Sequence, residues 1–218
     1  MNYDAQSNPK DDISIQRITL GLGCFWGPES WLGALKGVVH TSTGYAGGTT
    51  EQPVYRQMGD HSETIRLEYN PDVLPLETLL TLFWEHHRPE VINTYKDSRQ
   101  YRSILLYEHE DQRNIIQRLQ AEHESRAYTE IQPCSTFYLA EERHQKYYLQ
   151  RKPEVLAALD SLFTNREQAL QSTLAARLNG WSREAITVAD LLAELEHWQE
   201  PLNEQQQEQY RALLLSLT

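Results

Sequence analysis

The segment HSETIRLEYN, residues 61–70, alternates polar and apolar side chains, as a strand does when one face is buried and the other is not. That pattern limits the fold, because strands of a parallel doubly wound sheet are covered on both faces and read as continuous apolar runs. Three other segments read as strands: SIQRITLGLG (14–23), YRSILLYE (101–108) and TEIQPCSTFYLAE (129–141). Between them, PESWLGALKGV (28–38) has helical spacing, with Trp31, Leu32 and Leu35 on one side. PLETLLTLFWEHHRP (75–89) is a helix with a stripe of Leu76, Leu79, Leu80 and Phe83, and HEDQRNIIQRLQAEHES (109–125) is a polar surface helix. TSTGYAGGTTEQPVY (41–55), rich in glycine and threonine, reads as a loop. Short helices alternating with such strands predict an α+β fold, a two-layer sandwich with a mixed sheet and ferredoxin-like βαβ units.

This domain is expected over residues 16–152, behind a flexible tail at 1–15. From residue 155 to 218 there is neither cysteine nor lysine, and helix formers dominate, which predicts a helical extension over 153–218. Within it Thr187 and Asp190 have the spacing of a capping box, and Asn203 is placed to cap a last helix carrying Tyr210, Leu213 and Leu214. The apolar stripes of these helices need a surface to cover, on the same chain or on a second copy.

A formal charge of −11 argues against a nucleic-acid partner, since phosphate contacts need a basic footprint. No run approaches the roughly 20 apolar residues that span a bilayer, so no membrane partner is expected. The N-terminus lacks the charged start and apolar stretch of a secretory signal, which points to a reducing cytoplasm. The two cysteines, Cys24 and Cys134, have no CxxC spacing. His61 with Glu63, the adjacent His86 and His87, and His144 lack HxxxH or HExxH spacing, so no metal site is expected. His144 is expected to hold the last helix of the domain in place.

Cys24 lies in GLGCFWGPES, between a strand that ends on glycine and a helix that starts on Pro28. Backbone N–H groups at a helix start lower a thiol pKa, so Cys24 is a candidate nucleophile, although a cysteine beside aromatics is also what a small core hydrophobe looks like. Glu29, among Phe25, Trp26 and other apolar groups, is a carboxyl that burial would keep protonated as an acid, although a carboxylate in a first helical turn also serves the dipole.

GCFWGPE (23–29), GYAGG (44–48), QPVY (52–55), DHSET (60–64), NPDVL (70–74), LFWEHHRP (82–89), QYRS (100–103) and AEERHQKYY (140–148) together resemble the peptide methionine sulfoxide reductases of the A type. The resemblance covers residues 16–152, and GCFWG followed by GYAGG is its specific part. It implies a thiol-dependent reduction of methionine S-sulfoxide, free or in proteins, in which Cys24 attacks the sulfoxide sulfur and becomes a sulfenic acid. It implies that Glu29 protonates the sulfoxide oxygen, that Tyr45 and Tyr101 hydrogen-bond it, and that Phe25 and Trp26 hold the methyl group. In the loop HRPEVINTYKDSR, shorter than the family's, the nearest acid is Asp97, assigned to substrate binding. No cofactor is implied beyond an external thiol, thioredoxin or glutathione with glutaredoxin, because no cysteine follows Cys134 and Cys134 lies in a predicted strand. Two other readings of Cys24 stay open: a monothiol peroxidase, and a non-enzymatic module that binds methionine sulfoxide or a protein.

Overall fold

A computed structural model describes residues 14–92, 99–198 and 202–218. Six strands, β1 (Gln16–Leu22), β2 (Val38–Ala46), β3 (Ser62–Tyr69), β4 (Ser103–Tyr107), β5 (Glu130–Pro133) and β6 (Phe137–Leu139), form one sheet in the order β5-β4-β1-β3-β2-β6. All neighbours run antiparallel except β4 and β5, so the sheet is mixed and the class α+β. Helix α1 (Trp26–Ala34) connects β1 to β2, α2 (Leu76–Glu85) and the short α3 (Pro89–Ile92) lie between β3 and β4, and α4 (Glu110–Gln120) follows β4.

The alternation of HSETIRLEYN sorts the faces of the sheet. Ile65, Leu67 and Tyr69 join Ile18, Leu20, Leu22 and Leu105 in the main core, which Leu32 of α1 and Leu76, Leu79, Leu80 and Phe83 of α2 complete. Residues of the other parity, Ile104 and Leu106, cluster with Ala46 apart from that core, and Cys134 and Phe137 pack against them.

Two sequence expectations change here. VVHTSTGYA is the strand β2, paired along its length with β3, although its second half read as loop. Its edge backbone has polar partners that composition does not show. The Thr43 N–H donates to Gln145 Oε1, and the Thr41 carbonyl accepts from Lys146 Nζ. The segment 129–141, read as one strand, splits into β5 and β6 at opposite edges of the sheet, and Cys134 sits just past β5, its N–H donating to the Tyr107 carbonyl.

After Lys152 the chain forms α5 (Pro153–Asp160), α6 (Arg166–Leu170), α7 (Thr173–Trp181), α8 (Val188–Glu194) and α9 (Glu204–Leu215), which close a second core around Leu159, Leu174, Leu178, Leu191 and Leu214. Thr187 and Asp190 form a capping box at α8, and Asn203 caps α9 with Gln206. This part covers its apolar surface within the same chain, because α7 packs directly on α1. The contact needs small residues: a methyl group added at Gly33 would lie 2.7 Å from the Ala176 carbonyl oxygen, and one at Gly180 2.9 Å from that of Ser30. Arg177 of α7, 2% exposed, donates to the carbonyls of Gly33, Leu35 and Val38. It thereby satisfies C-terminal carbonyls of α1 that have no partner inside the helix. Among the described residues no helix is long and apolar enough to cross a membrane.

Gly180→Val drives a branched side chain into backbone of α1, and overpacking of this kind costs about 1–3 kcal/mol. A thermal melt should show the loss as a lower Tm, and an unchanged Tm would mean that α1 and α7 do not pack this closely.

Candidate active site

The register of the sheet brings distant segments to one edge. Leu22 at the end of β1 pairs with Ser103 at the start of β4, so Cys24 and Tyr101, each two residues beyond the pair, leave the sheet at the same end. Tyr45 near the end of β2 pairs with Glu63 near the start of β3. Gly23, at φ 95°, turns the chain between β1 and α1 in a conformation that a side chain would strain. Arg99 staples the 99–101 turn to both loops, donating to the carbonyls of Gly47 and Asp60 and pairing with Glu130 at 2.6 Å. Asp60 accepts from the N–H groups of Thr49 and Thr50 in the GYAGGTT turn, and these bonds hold its carboxylate far below its ordinary value.

Cys24 is exposed. The carboxyl beside it is Glu63, on the core parity of β3 and 1% exposed, close enough for its charge to act on the thiol. Glu63 Oε2 accepts from the Phe25 N–H at 3.0 Å, and Oε1 accepts from Gln100 Nε2 at 2.6 Å. Burial nevertheless pushes the Glu63 carboxyl up, against the pull of the bonds from Gln100 and Phe25. The thiol is also pushed up, by burial of the sulfur and by the charge of Glu63, and the Trp26 N–H that draws it down does not prevail. The expected lowering by the helix start is thus reversed: the helix amide is present, but burial, helped by the charge of Glu63, outweighs it. Thiol and carboxyl are both raised, each chiefly by burial.

Glu29 is not part of this group. It is fully buried on α1, and its oxygens accept from Lys146 Nζ at 2.9 Å, the Lys146 N–H at 2.8 Å and Thr41 Oγ1 at 3.3 Å. These three donors take up its oxygens away from the sulfur, so the expectation of an acid at Glu29 serving Cys24 is not met, and the carboxyl beside the sulfur is Glu63. The sequence carried a signal for it, since Glu63 shares the parity of Ile65, Leu67 and Tyr69.

The phenols lie near. Tyr45 is raised by burial, by its 2.7 Å bond to Glu141 Oε2 and by the charge of Glu63. Tyr101 is pushed up to about 12 by burial and then by the charges of Glu63, Tyr55 and Cys24. Both are neutral donors at physiological pH. Phe25 is wholly buried, its ring 6.2 Å from that of Tyr45. Trp26 stacks on Tyr147 with centroids 3.8 Å apart, and its indole N–H donates to His144 Nδ1 at 3.1 Å. His144 therefore meets α1, not a last domain helix, and AEERHQKYY forms only a short turn over Glu142–His144. Asp97 lies outside the described residues. His86 stacks on Trp31 while His87 bonds Ser103 Oγ, and among the described residues no three metal-ligating side chains are grouped.

Comparison with known proteins matches residues 16–176 to the family described as peptide methionine sulfoxide reductase. A Drosophila melanogaster peptide methionine sulfoxide reductase is 38% identical over 80% of this chain and 72% of its own. An A5 reductase of Oryza sativa is 39% identical over 79% of this chain and 70% of its own. Among solved structures, methionine sulfoxide reductase A of Corynebacterium diphtheriae superposes with a TM-score of 0.55 at 28% identity, over 66% of this chain and 78% of that one.

The two carboxyls separate in experiment. Glu63→Gln should lower kcat/KM by about 10²–10⁴, the usual weight of a general acid, with little change in Tm. Glu29→Gln strands the Lys146 ammonium and should cost about 3–5 kcal/mol of stability in a denaturant titration, while the folded fraction keeps its turnover. The opposite result would return the acid's role to Glu29.

Proposed function

The chain belongs to the peptide methionine sulfoxide reductase family and is an oxidoreductase that reduces methionine sulfoxide; from that premise we propose that Cys24, Glu63, Tyr45 and Tyr101 carry the reaction on the S epimer, free or in proteins. One observation supports this most: an exposed thiol stands beside a buried carboxyl, both raised above their ordinary values, at the sheet edge where two neutral phenols also stand. The Cys24 sulfur attacks the sulfoxide sulfur while Glu63 gives its proton to the oxygen. Cys24 has passed its own proton to Glu63 by the end of the step, so that the oxygen moves to Cys24 as a sulfenic acid and the thioether leaves. Tyr101 donates to an oxygen that grows more basic as its bond to sulfur weakens, and Tyr45 joins it by turning its hydroxyl from Glu141, so that both stabilise the transition state more than the ground state. With the methyl group against Phe25 and Trp26, the oxygen against the donors and the thiol on a third side, only one epimer offers its sulfur to attack.

The finer fold reading accords with this. Strand β3 lies between β1 and β2, and β1 between β3 and β4, so β1-α1-β2 and β3-α2-β4 are split, ferredoxin-like units with helices as the second layer. Residues 16–152 form the catalytic unit and the helices after Pro153 buttress α1.

Recycling draws on an external thiol, thioredoxin or glutathione with glutaredoxin. Cys134 packs with the Ala46, Ile104 and Leu106 cluster, whose parity is opposite to that of Glu63, and its thiol is raised by burial. A sulfur there cannot meet Cys24 without unmaking the sheet. A reducing compartment such as the cytoplasm suits such a cycle.

Without donor, each chain should release one equivalent of methionine from the S-sulfoxide and none from the R epimer, by chromatography of a quenched mixture. Cys24→Ser should release none, and Cys134→Ser should keep both the single equivalent and steady turnover with dithiothreitol. Two equivalents from the wild type, or loss of turnover in Cys134→Ser, would make Cys134 part of the cycle. Because Glu63 must be protonated to act, kcat/KM should fall as the pH rises through its raised value; a rate that climbs there would remove it as the acid.

A further inference from the structure

Trp26 is held from two directions. Tyr147 covers one face, and His144, 4% exposed, meets the indole N–H. An indole N–H only donates, so the bond needs a lone pair on His144 Nδ1. A neutral imidazole then carries its proton on Nε2, which stands 3.9 Å from Glu141 Oε2 and 3.2 Å from Arg143 Nε. Arg143 Nε also only donates, so its contact and that of Trp26 cannot both be hydrogen bonds to one neutral ring. Arg143 is 60% exposed and keeps its pair with Glu141 at 3.5 Å without that contact, whereas Trp26 is fixed by its stack. The Nε2–H form, facing Glu141, is the one that the surroundings favour.

We propose that His144 is a positioning residue for the reductase reaction: it fixes the Trp26 indole as a wall of the substrate site, and does so only while the imidazole is neutral. The proposal rests on the reading that Trp26 touches the substrate. Protonation puts a hydrogen on Nδ1, facing the indole hydrogen, and releases the wall. The charged or titratable groups around the ring are Glu141, Arg143 and Tyr55, whose ring centroid is 4.7 Å away, with Tyr45 behind Glu141. Burial and the Arg143 charge oppose protonation, Glu141 favours it, and the balance lies below the ordinary imidazole value.

The test uses the full chain with a blocked methionine S-sulfoxide and dithiothreitol, comparing wild type, His144→Phe, His144→Asn and Trp26→Phe. Kinetics are read beside ¹H–¹⁵N spectra of the indole N–H groups, where the Trp26 signal is the one missing from Trp26→Phe. His144→Phe should raise KM about tenfold, with kcat within about twofold, and shift the Trp26 signal, as expected for a donor left without its partner. His144→Asn, with an amide oxygen near the place of Nδ1, should restore most of the KM. In the wild type, KM should rise and the Trp26 signal should move as pH falls from 8 to 5, and neither should titrate in His144→Asn. The wild-type titration needs no substitution and so stands even if His144→Phe does not fold. A Trp26 signal that ignores both His144→Phe and pH, or a wild-type KM in His144→Phe while Trp26→Phe raises it, overturns the role of His144. A wild-type KM in Trp26→Phe instead overturns the premise that Trp26 meets substrate.

Discussion

The ion pair between Glu29 and Lys146 is the point on which the site hangs. Both side chains are buried, at 0% and 1% exposure, and each alone would carry a desolvation cost of several kcal/mol. Together they are satisfied: the carboxylate accepts from the ammonium, a backbone N–H and a hydroxyl, and the ammonium also reaches the Thr41 carbonyl at 2.6 Å. Lys146 adopts φ 48°, a state that costs a non-glycine residue about 1–3 kcal/mol and persists only where surroundings demand it. The demand here is that one residue offer its N–H and its ammonium to the same carboxylate. The pair thus ties α1, β2 and the 140–148 segment together, and His144 and Tyr147, on either side of Lys146, are delivered to Trp26 by it.

Much of this was legible from periodicity and much was not, for identifiable reasons. The alternation of residues 61–70 and the stripe of α2 gave the sheet and the helix that covers it, because burial on one face leaves a period in the sequence. Strand β2 left none, since its edge backbone at Thr41 and Thr43 is met by Lys146 and Gln145, about a hundred positions away. The split of 129–141 into two edge strands is likewise a matter of partners, not of local preference. At the site, Cys24 and the two tyrosines stood out through their motifs, whereas the acid was misassigned: proximity in sequence favoured Glu29, but the first turn of α1 points that side chain into the core. Only the sheet register sets Glu63 against the sulfur.

The helices after Pro153 are joined to the nucleophile's helix more closely than a change in composition suggests. A short helix normally ends its carbonyls on water or on a following glycine, but α1 ends them on a guanidinium from α7. The family match stops at residue 176, one position before Arg177. The backbone approach of α1 and α7, made possible by glycine and alanine on both helices, seats the helix that follows Cys24 directly on the later part of the chain.

Placing the second of the chain's two cysteines on the far side of the sheet has a chemical cost. An intermediate that no neighbouring thiol can trap stays open to a second molecule of oxidant, and the next rung of sulfur oxidation, sulfinic acid, is not reversed by ordinary thiols. The working life of each molecule is therefore set by a race between donor and peroxide, and the supply of reduced donor, not the chemistry at the sheet edge, decides how long it endures.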